Sequence, residues 1–436
     1  MKSINKIYYR FLLLIVLFNF TIFSVKDAQE LAIKINEIVE KYPAMTTGIE
    51  IYSLKQDKLL YSLNSNKLLT PASNAKLFTS ICALNTFGKD YQFTTQIISD
   101  NEIIENVLIG NIYLKPDADP SFNSKSLENL IKKLHELGLK EIKGDFLIIN
   151  KEFDQEGFAP GTTIDDLGDS YFNPVGSLII DHKAAVVAPV NTVNFTDNKK
   201  LENIFFDLNS VLRFLFNKYD IKFSSVINFT QEIPAKSYLL AEHKSEKLSA
   251  IIAFLLKESD NLYADCLFKK LAFHKYKEAA TWQKSRECLN EFLKEKLNIE
   301  PLDIKIVDGA GLSRYTLVSP HQIITLLKWA YVQPNFKDFL DCLPVAGIDG
   351  TLKERMLDTK SKVKAKTGTC GGVSSLSGYI ETEDDLIAFS IINNFFKYCI
   401  ILIFVISFYT DIKGDNLTLN KAFKEVNILC RCGTSF

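Results

Sequence analysis

The sequence predicts an α/β protein of the α+β kind, with helices and antiparallel strands toward both ends of the chain and a large β-rich insert between them. Three observations lead there. Apolar residues recur at helical spacing before about residue 91 and again after about residue 241. The stretch between breaks into short strand-like runs separated by Asp, Asn, Pro and Gly. Near the far end Val363–Thr369, Ser374–Ile380 and Leu386–Asn393 follow one another across Gly371-Gly372 and Glu383-Asp384-Asp385, the pattern of an antiparallel meander. At 436 residues the chain exceeds one ordinary core, and its 47% hydrophobic content with 32 Phe and 17 Tyr excludes disorder as the main state. Lys+Arg 51 against Asp+Glu 52 leaves a net charge of -1, which provides no general cationic field, so no nucleic acid is expected as a partner.

From the N-terminus, Lys2, Lys6 and Arg10 precede the uncharged stretch Phe11 to Phe23, the basic region and short apolar core of a secretory signal. An exported protein of the periplasm or cell envelope follows, with cleavage near Ser24. No A-x-A tripeptide marks the cut, which keeps open an uncleaved anchor and a peripheral membrane association. Leu31, Ile33, Ile35, Ile38 and Val39 then give a helix that Pro43 stops. Thr47–Leu54 and Lys58–Leu63 suit a hairpin across Lys55-Gln56-Asp57, and Ala75, Leu77, Phe78, Ile81, Cys82 and Leu84 form a mostly buried helix with Ser73 at its N-terminus.

Within the middle stretch, strands are expected at Phe93–Ile98, Val107–Leu114, Asp145–Ile149 and Ala184–Val190. One amphipathic helix carries Leu127, Leu130, Ile131 and Leu134, with Ser126 as N-cap and Gly138 just past its end. Beyond Ser245 helices return: Leu248 to Leu255, Leu262 to Phe273, and one beginning near Ser319-Pro320. The eight cysteines contain no C-x-x-C and no Cys/His pairing at metal-ligand spacing, so no structural zinc site is expected. No metal or organic cofactor is expected either, since side chains can supply both a nucleophile and its base.

A serine hydroxyl needs a base before it is a useful nucleophile. The five histidines lie in no triad-like context, whereas Lys76 follows Ser73 by three residues, one turn along the same helix face. A lysine base must be neutral, which calls for a dry site and favours a second cation nearby. Ser73-Asn74-Ala75-Lys76 alone also fits a capped helix with a solvated Lys. Two further motifs make coincidence improbable. Ser259-Asp260-Asn261 offers a hydroxyl to relay a proton and an amide to hold a carbonyl, and Lys366-Thr367-Gly368-Thr369 lies on a strand whose glycine lets another backbone approach.

The three motifs in this order resemble those of penicillin-binding proteins and serine β-lactamases. Pro71–Lys76, Ser259–Ala264, Asp308-Gly309-Ala310-Gly311-Leu312-Ser313-Arg314, Gly347–Leu352 and Lys366–Thr369 look like the D-alanyl-D-alanine carboxypeptidase/endopeptidases of class C, peptidase family S13, over about Thr47 to about Phe395. The resemblance implies a transpeptidase-like domain, an antiparallel sheet flanked by helices, with a large insert after its first segment. The implied boundaries are 1–24 signal peptide, 25–90 first segment, 91–241 inserted β-rich domain, 242–397 second segment and 398–436 an atypical tail. It also implies roles: Ser73 attacks the carbonyl of the penultimate D-Ala of a peptidoglycan stem peptide, Lys76 is its base, Ser259 passes the proton to the leaving amine and Asn261 holds the peptide carbonyl. Lys366 would act on Lys76 and Ser259, Thr367 and Thr369 would receive the terminal carboxylate, and Gly368 would let the substrate backbone lie close. β-Lactams would be covalent inhibitors.

Departures from the family lie at Lys115-Pro116-Asp117-Ala118-Asp119-Pro120, where a Gly-rich run is usual, and in the tail, where an apolar run from Tyr398 to Tyr409 and Cys430-Arg431-Cys432 replace a closing helix. Two rival readings are a β-lactamase, which the long insert opposes, and a non-catalytic envelope-binding protein on the same fold, which the intact motifs oppose.

Overall fold

The computed structural model describes residues 29, 31–163, 169, 171–186, 205–359 and 362–395. The expected signal, the 398–436 tail and the end of the expected Ala184–Val190 strand lie outside these residues. Among the described residues no helix is long and apolar enough to cross a membrane. Chain contacts gather into two compact units.

The first unit holds residues up to Leu69, Ser319–Lys328 and those from Pro344 on. Its centre is an antiparallel five-stranded sheet in which the N-terminal hairpin, β1 (Thr46–Ser53) and β2 (Lys58–Leu63), joins the meander from the other end of the chain: β15 (Val363–Cys370), β16 (Val373–Glu381) and β17 (Leu386–Asn394). The order is β15-β16-β17-β1-β2, which places β15 at an edge. Both expected groups of strands are present, because each is a local alternation bounded by a turn. Alternation also sorts the two faces. Ile49 and Ile51 bury one way against Leu31, Ile35 and Ile38 of the helical segment 31–40, while Glu50 points the other way, to His321 on the helix Pro320–Tyr331. The sheet is thus flanked by helices on both faces, as the sequence predicts.

The second unit holds Thr70–Val318 and Trp329–Leu343. Its strands are β3 (Thr94–Ser99), β4 (Ile103–Ile104), β5 (Val107–Leu108), β6 (Ile112–Lys115), β7 (Glu141–Ile142), β8 (Phe146–Ile149), β9 (Ile179–Ile180), β10 (Lys183–Val186), β11 (Phe205–Asp207), β12 (Lys222–Phe223), β13 (Ile227–Thr230) and β14 (Tyr238–Lys244). They form sheets ordered β13-β8-β6-β3-β14, β12-β7-β5-β4 and β11-β10-β9. The helices Ser124–Glu136 and Leu208–Lys218 share one apolar core with these strands, through Leu130, Leu134, Leu212 and Phe216.

Two expectations here need correction. Val107–Leu114 is two strands, because the chain breaks at Ile109-Gly110-Asn111 and β5 and β6 enter different sheets. Ser126 is not the N-cap: Asn123 is, its side chain accepting the Ser126 N–H at 2.9 Å, which starts the helix three residues earlier.

The helical part of this unit comprises Lys76–Phe87, Leu248–Lys257, Asn261–Tyr276, Trp282–Leu297 and Phe336–Cys342. Lys76–Phe87 and Asn261–Tyr276 pack together. Lys76 through Leu84 are all buried, so the first of these is a central helix rather than an amphipathic surface one. The Lys115–Pro120 segment is tied to this part by charge. Asp117 pairs with the buried Lys270, which also reaches Glu152 at 2.8 Å, and Asp117 accepts the Thr94 N–H at 2.9 Å and the Tyr91 hydroxyl at 3.1 Å.

Candidate active site

Ser73 lies in a short 3-10 turn, Ala72–Ala75, that runs directly into the helix beginning at Lys76. The hydroxyl therefore sits just ahead of the α-helix rather than within its first turn. Ala72 is held at φ 47, a left-handed conformation costly for a residue with a side chain. Gly311 packs directly against this turn: its φ is +76, and a Cβ there would strike the Ala72 carbonyl and lie 2.9 Å from the Ala75 Cβ. Only glycine lets the Asp308–Gly311 loop lie backbone to backbone with the Ser73 turn.

Ser259-Asp260-Asn261 is a joint between two helices. The helix Leu248–Lys257 ends with Ser259 in the left-handed conformation, φ 62, and the Asp260 N–H bonding back to the Leu255 carbonyl at 3.1 Å. Asp260 then N-caps the next helix by accepting the Tyr263 N–H at 2.8 Å, and Asn261 is that helix's first residue. Small polar residues suit all three positions, so local capping alone favours this tripeptide.

Lys76 is fully buried whereas Ser73 is partly exposed. The Lys76 amine lies 2.9 Å from Ser73 Oγ, 2.6 Å from Asn261 Oδ1 and 2.8 Å from the Ala310 carbonyl. Asn261 is oriented by its other end, where Nδ2 donates to the Tyr171 carbonyl at 2.9 Å. Two of the three neighbours of the amine can only accept. A neutral amine has two hydrogens and one lone pair, so with both hydrogens on Asn261 and Ala310 the lone pair faces the one neighbour able to donate, the Ser73 hydroxyl.

Burial pushes the Lys76 ammonium down to about 8, against the pull of the Asp265, Asp308 and Asp260 carboxylates. Dryness is thus the leading cause, one of the two the sequence reading required, and the charges this unit turns toward Lys76 are anions. Asp265 accepts the Gly309 and Ala310 N–H groups at 2.7 and 3.0 Å, and Thr79 donates to the Gly309 carbonyl at 2.9 Å. Asp308 accepts the Leu312 and Ser313 N–H groups at 2.7 and 2.9 Å and the Thr316 hydroxyl at 2.6 Å. Burial drives both carboxyls upward.

The second unit thus brings Ser73, Lys76 and Asn261 into one hydrogen-bonded group, with Ser259 two residues from Asn261 at the helix joint. The roles of Asp265, Thr79 and the Ala310 and Tyr171 carbonyls were not anticipated. Asp265 was within reach of sequence reasoning, since it follows Asn261 by four residues on the same helix face.

Lys366, Thr367, Gly368 and Thr369 belong to the first unit, on the edge strand β15. Lys366 is buried and donates to the Thr367 carbonyl at 2.8 Å, Thr367 Oγ1 donates to Thr351 Oγ1 at 2.8 Å, and Thr369 is exposed. Across the sheet Lys366, Ser377, Ser390 and Glu50 stand in register, a buried polar row in which Ser377 donates to Ser390 at 2.9 Å and Glu50 meets His321 at 3.1 Å.

The model of the D-Ala-D-Ala carboxypeptidase 3 (S13) family matches residues 31–210 and 207–397. The chain is 24% identical over 409 residues to the D-alanyl-D-alanine carboxypeptidase DacB of Haemophilus influenzae, covering 80% of this chain and 85% of that protein. It is 26% identical over 387 residues to a D-alanyl-D-alanine carboxypeptidase of an Actinomadura species, covering 73% and 72%. In fold it is similar to the crystal structure of penicillin binding protein 4 from Haemophilus influenzae, with a TM-score of 0.75 at 22% identity over 87% of this chain and 98% of that one. With the motifs in order, the sheet flanked by helices and a family match running almost from the first described helix to the last strand, the chain belongs to the D-Ala-D-Ala carboxypeptidase 3 (S13) family of class C penicillin-binding proteins.

Proposed function

We propose that this serine-type carboxypeptidase removes the terminal D-Ala of peptidoglycan stem peptides through an acyl-enzyme on Ser73, with cross-link cleavage open to the same chemistry. The observation that carries the proposal is the Lys76 amine, sealed from water, 2.9 Å from Ser73 Oγ, with its hydrogens directed to Asn261 and Ala310. Lys76 takes the hydroxyl proton as Ser73 Oγ bonds to the carbonyl carbon of the penultimate D-Ala. Ser259 delivers a proton to the leaving D-Ala nitrogen, the peptide C–N bond breaks, and water later hydrolyses the ester. Asn261 keeps one amide hydrogen on Tyr171 and offers the other to the peptide carbonyl. The Ser73 and Thr369 N–H groups serve as oxyanion donors, Lys366 assists the proton transfers, Thr367 and Thr369 receive the terminal carboxylate, and Gly368 lets the substrate backbone lie close.

The rest of the proposal concerns setting. Residues 91–241 are an inserted domain between two segments of the transpeptidase-like domain, the protein is exported to the periplasm or cell envelope, and β-lactams acylate Ser73. Release of D-Ala from a diacylated tripeptide ending in D-Ala-D-Ala, lost in Ser73→Ala, tests the reaction. Folded protein that releases no D-Ala and takes up no penicillin would favour the non-catalytic binding reading.

A further inference from the structure

Asp265 is a partly buried carboxylate for which the proposed reaction has no task, yet its surroundings lead to the reacting atoms in two steps. One oxygen accepts two consecutive backbone N–H groups, of Gly309 at 2.7 Å and Ala310 at 3.0 Å. The carbonyl of the second of these residues then accepts from Lys76 at 2.8 Å. The loop is gripped from the other side too, where Thr79, one turn along from Lys76, donates to the Gly309 carbonyl at 2.9 Å. The loop packs closely on both sides. A side chain on Gly309 would meet the Ala264 backbone and lie 2.6 Å from the Phe268 Cβ, and one on Gly311 would strike the Ser73 turn.

We infer that Asp265 is a positioning residue for acylation: by holding the Gly309-Ala310 segment it aims the Ala310 carbonyl at Lys76, which fixes the direction of the lysine lone pair toward Ser73. Asn261 and Asp265 then form one device on one helix face, the first touching the amine directly and the second through the loop. The charged groups facing this point are Lys76 from its own helix, Asp260, Asp265 and Lys269 from the helix Asn261–Tyr276 and its cap, and Asp308 from the loop.

The inference rests on the acyl-enzyme reading, so the test begins with wild type. Rate constants for acylation by a fluorescent penicillin are measured from pH 5.5 to 9.5 for wild type, Asp265→Asn and Asp265→Ala, with noncovalent affinity extracted from the concentration dependence and folding checked by circular dichroism. Asp265→Asn keeps an oxygen for the two N–H groups and retains the plateau rate within about threefold. Asp265→Ala lowers the plateau by about tenfold or more at unchanged noncovalent affinity. Folded wild type that is not acylated refutes the acyl-enzyme reading and the inference with it. Acylated wild type with a full plateau rate in Asp265→Ala, or an Asn variant as slow as a folded Ala variant, overturns the inference alone.

Discussion

Lys76 must lose a proton before it can take one from Ser73, and the perturbation that addresses this directly is pH. Burial lowers the Lys76 ammonium from 10.5 to about 8. At pH 7 the neutral fraction is then about one in eleven, against about one in three thousand for an ordinary lysine, so burial supplies roughly 300-fold more base at that pH. The rate constant for acylation by a fluorescent penicillin, followed by quenched-flow labelling, should rise about tenfold per pH unit at the acid end, reach half its maximum at about 8 and be level by about 9.5. The sign follows from the neutral amine being the active form. A rate independent of pH between about 6 and 9 would remove Lys76 as the base. A rate still climbing tenfold per unit at about 9.5 would mean that burial does not depress it.

The same shift has a stability consequence. Because the folded value lies below the unfolded one, the unfolded chain holds the extra proton between about 8 and 10.5, so stability rises with pH in that window, and the cost fully present below it is about 3 kcal/mol. Urea midpoints at pH 7.5 and 9.5 should therefore diverge more for wild type than for Lys76→Met, and equal divergence would contradict the buried-amine argument. Gly311→Ala places a side chain at φ +76 against the Ser73 turn; a loss of about 1–3 kcal/mol and a sharp drop in penicillin labelling are expected, and an unchanged melt with full labelling would show that the loop contact does not hold the turn. Lys270→Met strands the Glu152 carboxylate in the interior and leaves the half-buried Asp117 without its cation, for a loss of about 3–5 kcal/mol by denaturant titration. A loss below about 1 kcal/mol would mean that water reaches the pair.

The sheet of the first unit was legible because each of its parts is a local pattern. β1 and β2 are an alternation across a polar turn, and β15, β16 and β17 alternate across Gly371-Gly372 and Glu383-Asp384-Asp385. That the two groups meet, β1 against β17, is a contact across more than 300 positions of sequence that the two patterns do not encode. The helix start at Asn123 was misplaced to Ser126 because both are good caps, and the choice turns on a bond from the Ser126 N–H that sequence spacing does not decide.

At the site, Ser73, Lys76 and Asn261 could be read because short spacings and a cap pattern carry them. Asp265 and Asp308 read as ordinary acids on a helix and in a turn, since their partners are backbone groups made available only by Gly309 and Gly311 packing closely. The cause of the lowered Lys76 value was half legible: a dry site was required in advance, but three anions around the amine were not, and magnitude decides that burial outweighs them.

The central claim is that Ser73, activated by Lys76, forms a covalent acyl-enzyme. Mass spectrometry of the intact, folded protein after exposure to benzylpenicillin tests it most directly, run beside Ser73→Ala and Lys76→Met. The account predicts one added penicilloyl group on wild type, mapped to the peptide containing Ser73, none on Ser73→Ala, and slowed addition on Lys76→Met. Unmodified wild type, or equal modification of wild type and Ser73→Ala, would contradict it.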